Sequence, residues 1–306
     1  GAVKTHGPVW ALNHRSEAKG NAVDCAACHE QDYCLECHKS GFADEQGSFS
    51  NNMINVHSSD FHVTHPLSAR TDLEHGVKVS MRSEMMYPDV ALVDPCLTRF
   101  MPGDVTAFTG MDALTQLIEA FVSRFSNPYT DALCREGIAR SARSLSSAVG
   151  NGQDLNARED LSLAALFSGI ALANAKLGAV HGIAGPMGGM ISAPHGLICA
   201  VLLAPVMAEN VRQLEKRTSP DSSAALAKFG EVAGILTGNS RAGIEQGAGW
   251  IRGLVAEMDL PSLSQFGLEP AVCRAVSRKA LQASSMKGNP VDLDEKGITS
   301  LLETVS

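Results

Sequence analysis

Histidine and cysteine are distributed so unevenly along this chain that it cannot be read as one evenly patterned domain. Eight of the ten histidines and four of the eight cysteines fall in the first 75 residues, a polar stretch with no long periodic apolar run. From about Val77 the sequence turns alanine- and leucine-rich with helical period. Two unrelated pieces, residues 1–72 and 73–306, are therefore expected to join near residues 70–76. A chain of 306 residues that is 44% hydrophobic has room for two domains, or for one domain and a small appendage. It opens on Gly1 rather than methionine, so its start is read as processed or missing.

The first piece carries Cys25-Ala-Ala-Cys28-His29 and then Cys34-Leu-Glu-Cys37-His38. Each CxxCH unit sets two thiols to form thioethers with haem vinyl groups, while the adjacent histidine, His29 or His38, reaches the iron from the same turn. A four-cysteine zinc knot is the main rival. Its cysteine pairs usually stand farther apart, and zinc does not require a histidine after both pairs. A disulfide pair is weaker for the same reason. His6, His14, His57, His62 and His65 are candidates for the second axial positions. On these motifs residues 5–70 resemble the multihaem c-type cytochromes. That resemblance implies two c-type haems in place of an ordinary core, and the surplus of histidines suggests a larger cytochrome cut short.

The second piece reads as all-helical. Val90–Pro95 is expected to be a short buried strand ending at a turn, with Asp94 favouring the corner and Pro95 stopping the ladder. Helical period then covers Thr106–Phe125, Pro128–Val149, Ala157–Leu177, Leu197–Leu214, Ser223–Leu236, Ser240–Met258, Pro270–Ser284 and Glu295–Thr304. Between two apolar runs lies GAVHGIAGPMGGMISAPHGL (178–197), where His181 and His195 stand fourteen apart, each followed by glycine. Glycine there lets backbone or ligand come close to an imidazole. The plain alternative is a pair of core histidines bonded to neighbouring carbonyls. Asp112 and Gln116, four apart on one helical face, tilt the balance toward a divalent-metal site, although an isolated aspartate is more often a solvated or capping acid. A carboxylate with imidazoles suits Fe2+ or Zn2+ and leaves a position for a substrate oxygen.

TGMDALTQLIEAFVS (109–123), NPYTDAL (127–133), the run from Ala157 to Gly189 and PHG (194–196) together resemble the iron-containing, or group III, alcohol dehydrogenases. KVSMRSEMMYPDVALVDP (78–95) and GNP (288–290) extend the likeness from about residue 76 to the end. The resemblance places the family's metal carboxylate on Asp112 and two of its histidine ligands on His181 and His195. The family's histidine four after the aspartate falls on Gln116, and one often seen four after the first His-Gly falls on Gly185. Both departures imply weaker iron binding, or a preference for zinc. Members of the family place a nucleotide-binding α/β domain before the helical one. No βαβ pattern or glycine-rich phosphate loop precedes residue 76, so no Rossmann-like domain is expected and NAD(P) would be used only if another chain supplied that domain.

Several functions follow as expectations. The first is metal-dependent conversion of a small alcohol or aldehyde by a half-site, with hydride passing to or from nicotinamide. The second is electron transfer by the haems to a redox partner protein, with the helical part a passenger. A third, alcohol oxidation feeding the haems directly, lacks the relay that would turn a two-electron step into single ones. A fourth is a non-physiological fusion with no integrated activity. Attached haem would place the chain in the periplasm, the dehydrogenase part alone in the cytoplasm. Loss of a partner domain would expose an apolar face near Val90–Leu97. A net charge of −8 with no basic run argues against nucleic acid. Leu197–Ala208 falls short of the roughly 20 residues that span a bilayer, and a homo-oligomer is compatible with all of these readings.

Overall fold

The computed structural model describes residues 91–306, together with the backbone of residues 71–72 and 77–78. The CxxCH motifs, the candidate axial histidines and most of the 78–95 segment lie outside the described residues. Two short strands, β1 (Thr71–Asp72) and β2 (Val77–Lys78), pair antiparallel, with Thr71 opposite Lys78 and Asp72 opposite Val77.

The expected strand near Val90–Pro95 is not formed by its described part. Residues 91–94 have no regular structure and lead into a 3-10 turn, Pro95–Thr98. The Asp94 side chain accepts from the Cys96 amide, and Pro95 sits at the first turn position, where it needs no amide hydrogen. Leu92 is 91% exposed, so the apolar pattern read there as burial is not buried.

Nine α-helices follow among the described residues. They are α1 (Gly103–Val122), α2 (Pro128–Gly150), α3 (Leu155–Ala175), α4 (Ala179–Gly188), α5 (His195–Glu215), α6 (Pro220–Thr237), α7 (Ile244–Glu257), α8 (Pro270–Ala280) and α9 (Glu295–Glu303). Eight match the expected helices to within a few residues; α4 is the addition. Local chemistry explains the starts. Asn127 caps α2 in a reciprocal box with Thr130, with Pro128 just inside the helix; Asp154, Ser219 and Asp294 cap α3, α6 and α9. Gly238, in left-handed conformation, closes α6.

Helix α1 is the axis of the bundle and packs against α2, α3 and α5. Its Met111, Leu114, Leu117, Ile118 and Phe121 are fully or almost fully buried. The Arg158 guanidinium of α3 is buried as well, and it donates to the Thr106 hydroxyl and to the carbonyls of Gly152 and Met101, tying the start of α1 to the α2–α3 turn. Helix α5 is longer than the apolar run expected, and its 21 residues are long and apolar enough to cross a membrane. Two thirds of its apolar window (67%) is buried inside the bundle, which makes it a core helix.

Candidate metal centre

Three helices converge at the site. Asp112 sits midway along α1, His181 in the first turn of α4, and His195 at the first position of α5. The start of α4 is held by side chains from elsewhere in the bundle. Its first three amides are met by the Asn289 carbonyl oxygen (to Ala179, 3.1 Å) and by the two Glu119 oxygens (to Val180, 2.6 Å, and to His181, 3.4 Å). A carboxylate at a helix N-terminus is favourable, since the unsatisfied amides there carry partial positive charge. Asn289 is in turn locked by a two-way amide pair with Asn210 and by donation to the Val291 carbonyl. The GNP motif is thus explained by position: its asparagine caps the helix that carries His181.

Glycine has a steric reason beside His195. A Cβ on Gly196 would lie 2.0 Å from the Phe108 carbonyl oxygen, so only glycine lets α5 begin against α1. Gly178 has a milder version of this constraint, its missing Cβ facing Glu119 and Asn289 oxygens at 2.9 and 3.0 Å.

His181 lies between two carboxylates, with Nδ1 2.6 Å from Glu119 Oε2 and Nε2 3.0 Å from Asp112 Oδ1. His195 Nε2 stands 3.8 Å from the same Asp112 oxygen, and the two imidazole centroids are 5.5 Å apart. Cys199, one turn into α5, brings Sγ to 3.8 Å from His181 Nε2 and 3.7 Å from His195 Nε2. The donor atoms of Asp112, His181, His195 and Cys199 all lie within 4.8 Å of one another. The cluster is partly open to solvent, with the side chains of His195 30% and Asp112 25% exposed against 8% for His181.

Electrostatics bind the cluster together. Burial would raise the Asp112 carboxyl, but His195 and His181 beside it outweigh that and hold it well below the usual carboxylate range. Burial would lower His181, yet Cys199, Asp112 and Glu119 around it lift the imidazole above its ordinary value. Burial pushes the Cys199 thiol up to about 12, with Asp112 adding to the effect and His181 opposing it. One carboxylate oxygen, two imidazole nitrogens and a sulfur at mutual ion-ligating distance form a donor set that fits a first-row divalent cation.

Three of the four expected ligand positions, Asp112, His181 and His195, are brought together. Gln116 lies half-buried on α1, one turn beyond Asp112. At Gly185, a side chain would meet nothing within 4 Å. Sequence reasoning missed Cys199 and Glu119. Both carry a periodic signal: Cys199 is four after His195, and Glu119 is seven after Asp112, each on the same helical face as its partner.

A family model described as "Fe-containing alcohol dehydrogenase family, C-terminal" matches residues 106–306. Among curated relatives, a 1,3-propanediol dehydrogenase of Citrobacter freundii is 36% identical over 233 residues, covering 76% of this chain and 58% of that protein. A choline dehydrogenase of Bacillus subtilis (strain 168) is 32% identical over 227 residues, covering 74% of this chain and 55% of that one. The crystal structure of a 1,3-propanediol oxidoreductase superposes with a TM-score of 0.67 at 33% identity, over 74% of this chain and 58% of the other. The chain thus spans little more than half the length of the relatives it matches, and the shared part is the helical bundle that carries the Asp112, His181, His195 and Cys199 cluster. By that match over residues 106–306, the chain belongs to the Fe-containing alcohol dehydrogenase family.

Proposed function

We propose that residues 73–306 form the metal-holding half of an oxidoreductase that interconverts a small alcohol and its aldehyde. The observation that carries this reading is the meeting of Asp112, His181 and His195 from three separate helices at ion-ligating distance, in a partly exposed cluster. Asp112, His181 and His195 would hold Fe2+ or Zn2+, which when bound supplies Lewis acidity toward a substrate oxygen. Around it the chain's own groups have separate tasks. Glu119 accepts a hydrogen bond from Nδ1–H of His181 and so leaves the Nε2 lone pair facing the cluster. Asn289 and Glu119 fix the start of α4, and with it the place of that ring. Gln116, one turn from Asp112, is positioned along the same helix as a contact for substrate. The acceptor in this reading is NAD(P), bound by a nucleotide-binding domain that residues 73–306 do not supply. The relatives' printed substrates, a propanediol and choline, differ, so the class carried over is a small primary alcohol.

For residues 1–72 we propose a segment holding two c-type haems, supported by the tandem Cys25/Cys28/His29 and Cys34/Cys37/His38 motifs. One preparation tests both halves: the full chain made with haem-maturation machinery, assayed for metal content and absorption. About one iron or zinc per chain, lost on Asp112→Ala, His181→Ala or His195→Ala, is the expected result for the bundle. Metal content indifferent to all three substitutions overturns it. Reduced c-type bands amounting to two haems per chain are expected for the first segment, and their absence overturns that part alone.

A further inference from the structure

Two side chains compete for the fourth place on this centre. Gln116 follows Asp112 by one turn of α1, where the family resemblance puts a histidine, and offers a neutral amide oxygen. Cys199 follows His195 by one turn of α5, is fully buried, and offers sulfur to both imidazoles. We propose that Cys199 is the fourth protein ligand, making the centre an Asp–His–His–Cys site matched to zinc rather than iron. This rests on the metal-site reading above and adds the identity of the fourth donor.

The spacing of the donors carries the inference. Tetrahedral zinc with bonds of about 2.3 Å to sulfur and about 2.0 Å to nitrogen or oxygen separates sulfur from nitrogen by about 3.5 Å, and nitrogen from oxygen by about 3.3 Å. The sulfur–nitrogen separations here are 3.7 and 3.8 Å, and the oxygen–nitrogen separations are 3.0 and 3.8 Å. Four of the donor separations thus lie close to those of a tetrahedral ion, and all four donors from α1, α4 and α5 stand within 4.8 Å of one another. Donor chemistry agrees. A mixed nitrogen and sulfur set is a zinc set, and at any such site zinc outranks ferrous iron in intrinsic affinity. On coordination the S–H bond breaks, the sulfur–metal bond forms, the proton leaves to water, and no electron changes hands. The same substitution accounts for the glutamine: with sulfur supplied from α5, a histidine at position 116 is no longer needed to complete four donors.

The test is cobalt substitution of the full-length protein, with the thiolate-to-cobalt charge-transfer band read in the near ultraviolet as a wild-type-minus-variant difference, which cancels any cobalt held by cysteines elsewhere. Wild type is expected to show a band that disappears in Cys199→Ser and in Asp112→Asn and persists in Gln116→Ala and in Cys273→Ser, a buried cysteine outside the cluster. Zinc affinity is expected to fall in Cys199→Ser by more than the roughly tenfold that loss of an outer partner costs, with helical circular dichroism unchanged. Given equal zinc and ferrous iron without oxygen, wild type should load zinc. Cobalt bound through Asp112 with the same band in wild type and Cys199→Ser overturns the ligand assignment and leaves the three-residue site standing. Iron loaded in preference to zinc overturns the zinc assignment. A wild-type protein that takes up no metal dependent on Asp112 overturns the site and the inference together.

Discussion

Glu119 determines which nitrogen of His181 faces the cluster, and it does so with both of its oxygens committed. Oε1 accepts from the Val180 amide and Oε2 from His181 Nδ1, each at 2.6 Å, in a side chain only 6% exposed. A glutamine of the same shape has a single acceptor oxygen. If that oxygen stays with Val180, the amide NH2 faces Nδ1 and forces the opposite tautomer, which puts a hydrogen on Nε2 where a metal needs a lone pair. If it turns to Nδ1, the first turn of α4 loses its anchor. Glu119→Gln should therefore weaken metal binding by about 10–100-fold while leaving overall helicity intact, measured by competition with a chelator of known affinity. Equal affinity in the two proteins would show that Glu119 serves the helix start and not the ligand.

At the scale of helices, the pair α2–α3 is clasped by a charge cluster remote from the metal centre. Asp160 on α3 accepts from Arg140, from Nε and Nη2 of Arg143 and from the Ser144 hydroxyl of α2, at 2.5–2.7 Å, with its side chain 13% exposed. Burial works to raise its pKa, but Arg143, Ser144 and Arg140 prevail and lower it. A carboxylate whose folded pKa is depressed contributes stability above its unfolded value of about 3.9, and loses that contribution as pH falls through the folded value. Asp160→Asn should accordingly cost about 1.5–3 kcal/mol at neutral pH, the range for hydrogen bonds to charged groups. The gap between the two proteins should close below about pH 3.9. Denaturant melts at several pH values check this. A gap that stays constant into acid would mean that the aspartate acts through shape rather than charge.

Across the whole molecule, the legible and illegible parts of the sequence divide along one physical line. Helices with an apolar stripe and a capping residue, such as α2 after Asn127 or α3 after Asp154, could be placed from the sequence because their signals are local. Helix α4 was hidden by its four glycines at positions 182, 185, 188 and, at its N-cap, 178, and by Pro186, which spoil the propensity; Asn289, 110 residues beyond Ala179, caps it through tertiary contact. The strand expected before Pro95 failed for the opposite reason. Its apolar run reads as buried, whereas Leu92 and Leu97 are exposed to solvent. Asp112, His181 and His195 are readable as residue types at meaningful spacing; Cys199 is four after His195 on the same helical face, but only the packing of α5 against α1 and α4 shows that its sulfur meets both imidazoles.

That winding also makes the cluster a clamp, since one ion would join α1, α4 and α5 at the centre of the bundle. Anything that binds the folded chain and not the unfolded one stabilises it, by about 2.7 kcal/mol at a free metal concentration a hundred times the dissociation constant. For a unit of this size each kcal/mol moves the melting temperature by about 2–4 °C, so stripping the metal with a chelator should lower Tm by about 5–11 °C. Asp112→Ala, which removes the oxygen shared by both histidines, should melt at one temperature with or without chelator. Both proteins shifting equally would locate the stabilising ion elsewhere in the chain. A wild-type melt untouched by chelator would show that α1, α4 and α5 are held by their apolar packing alone, with the cluster contributing nothing to the fold.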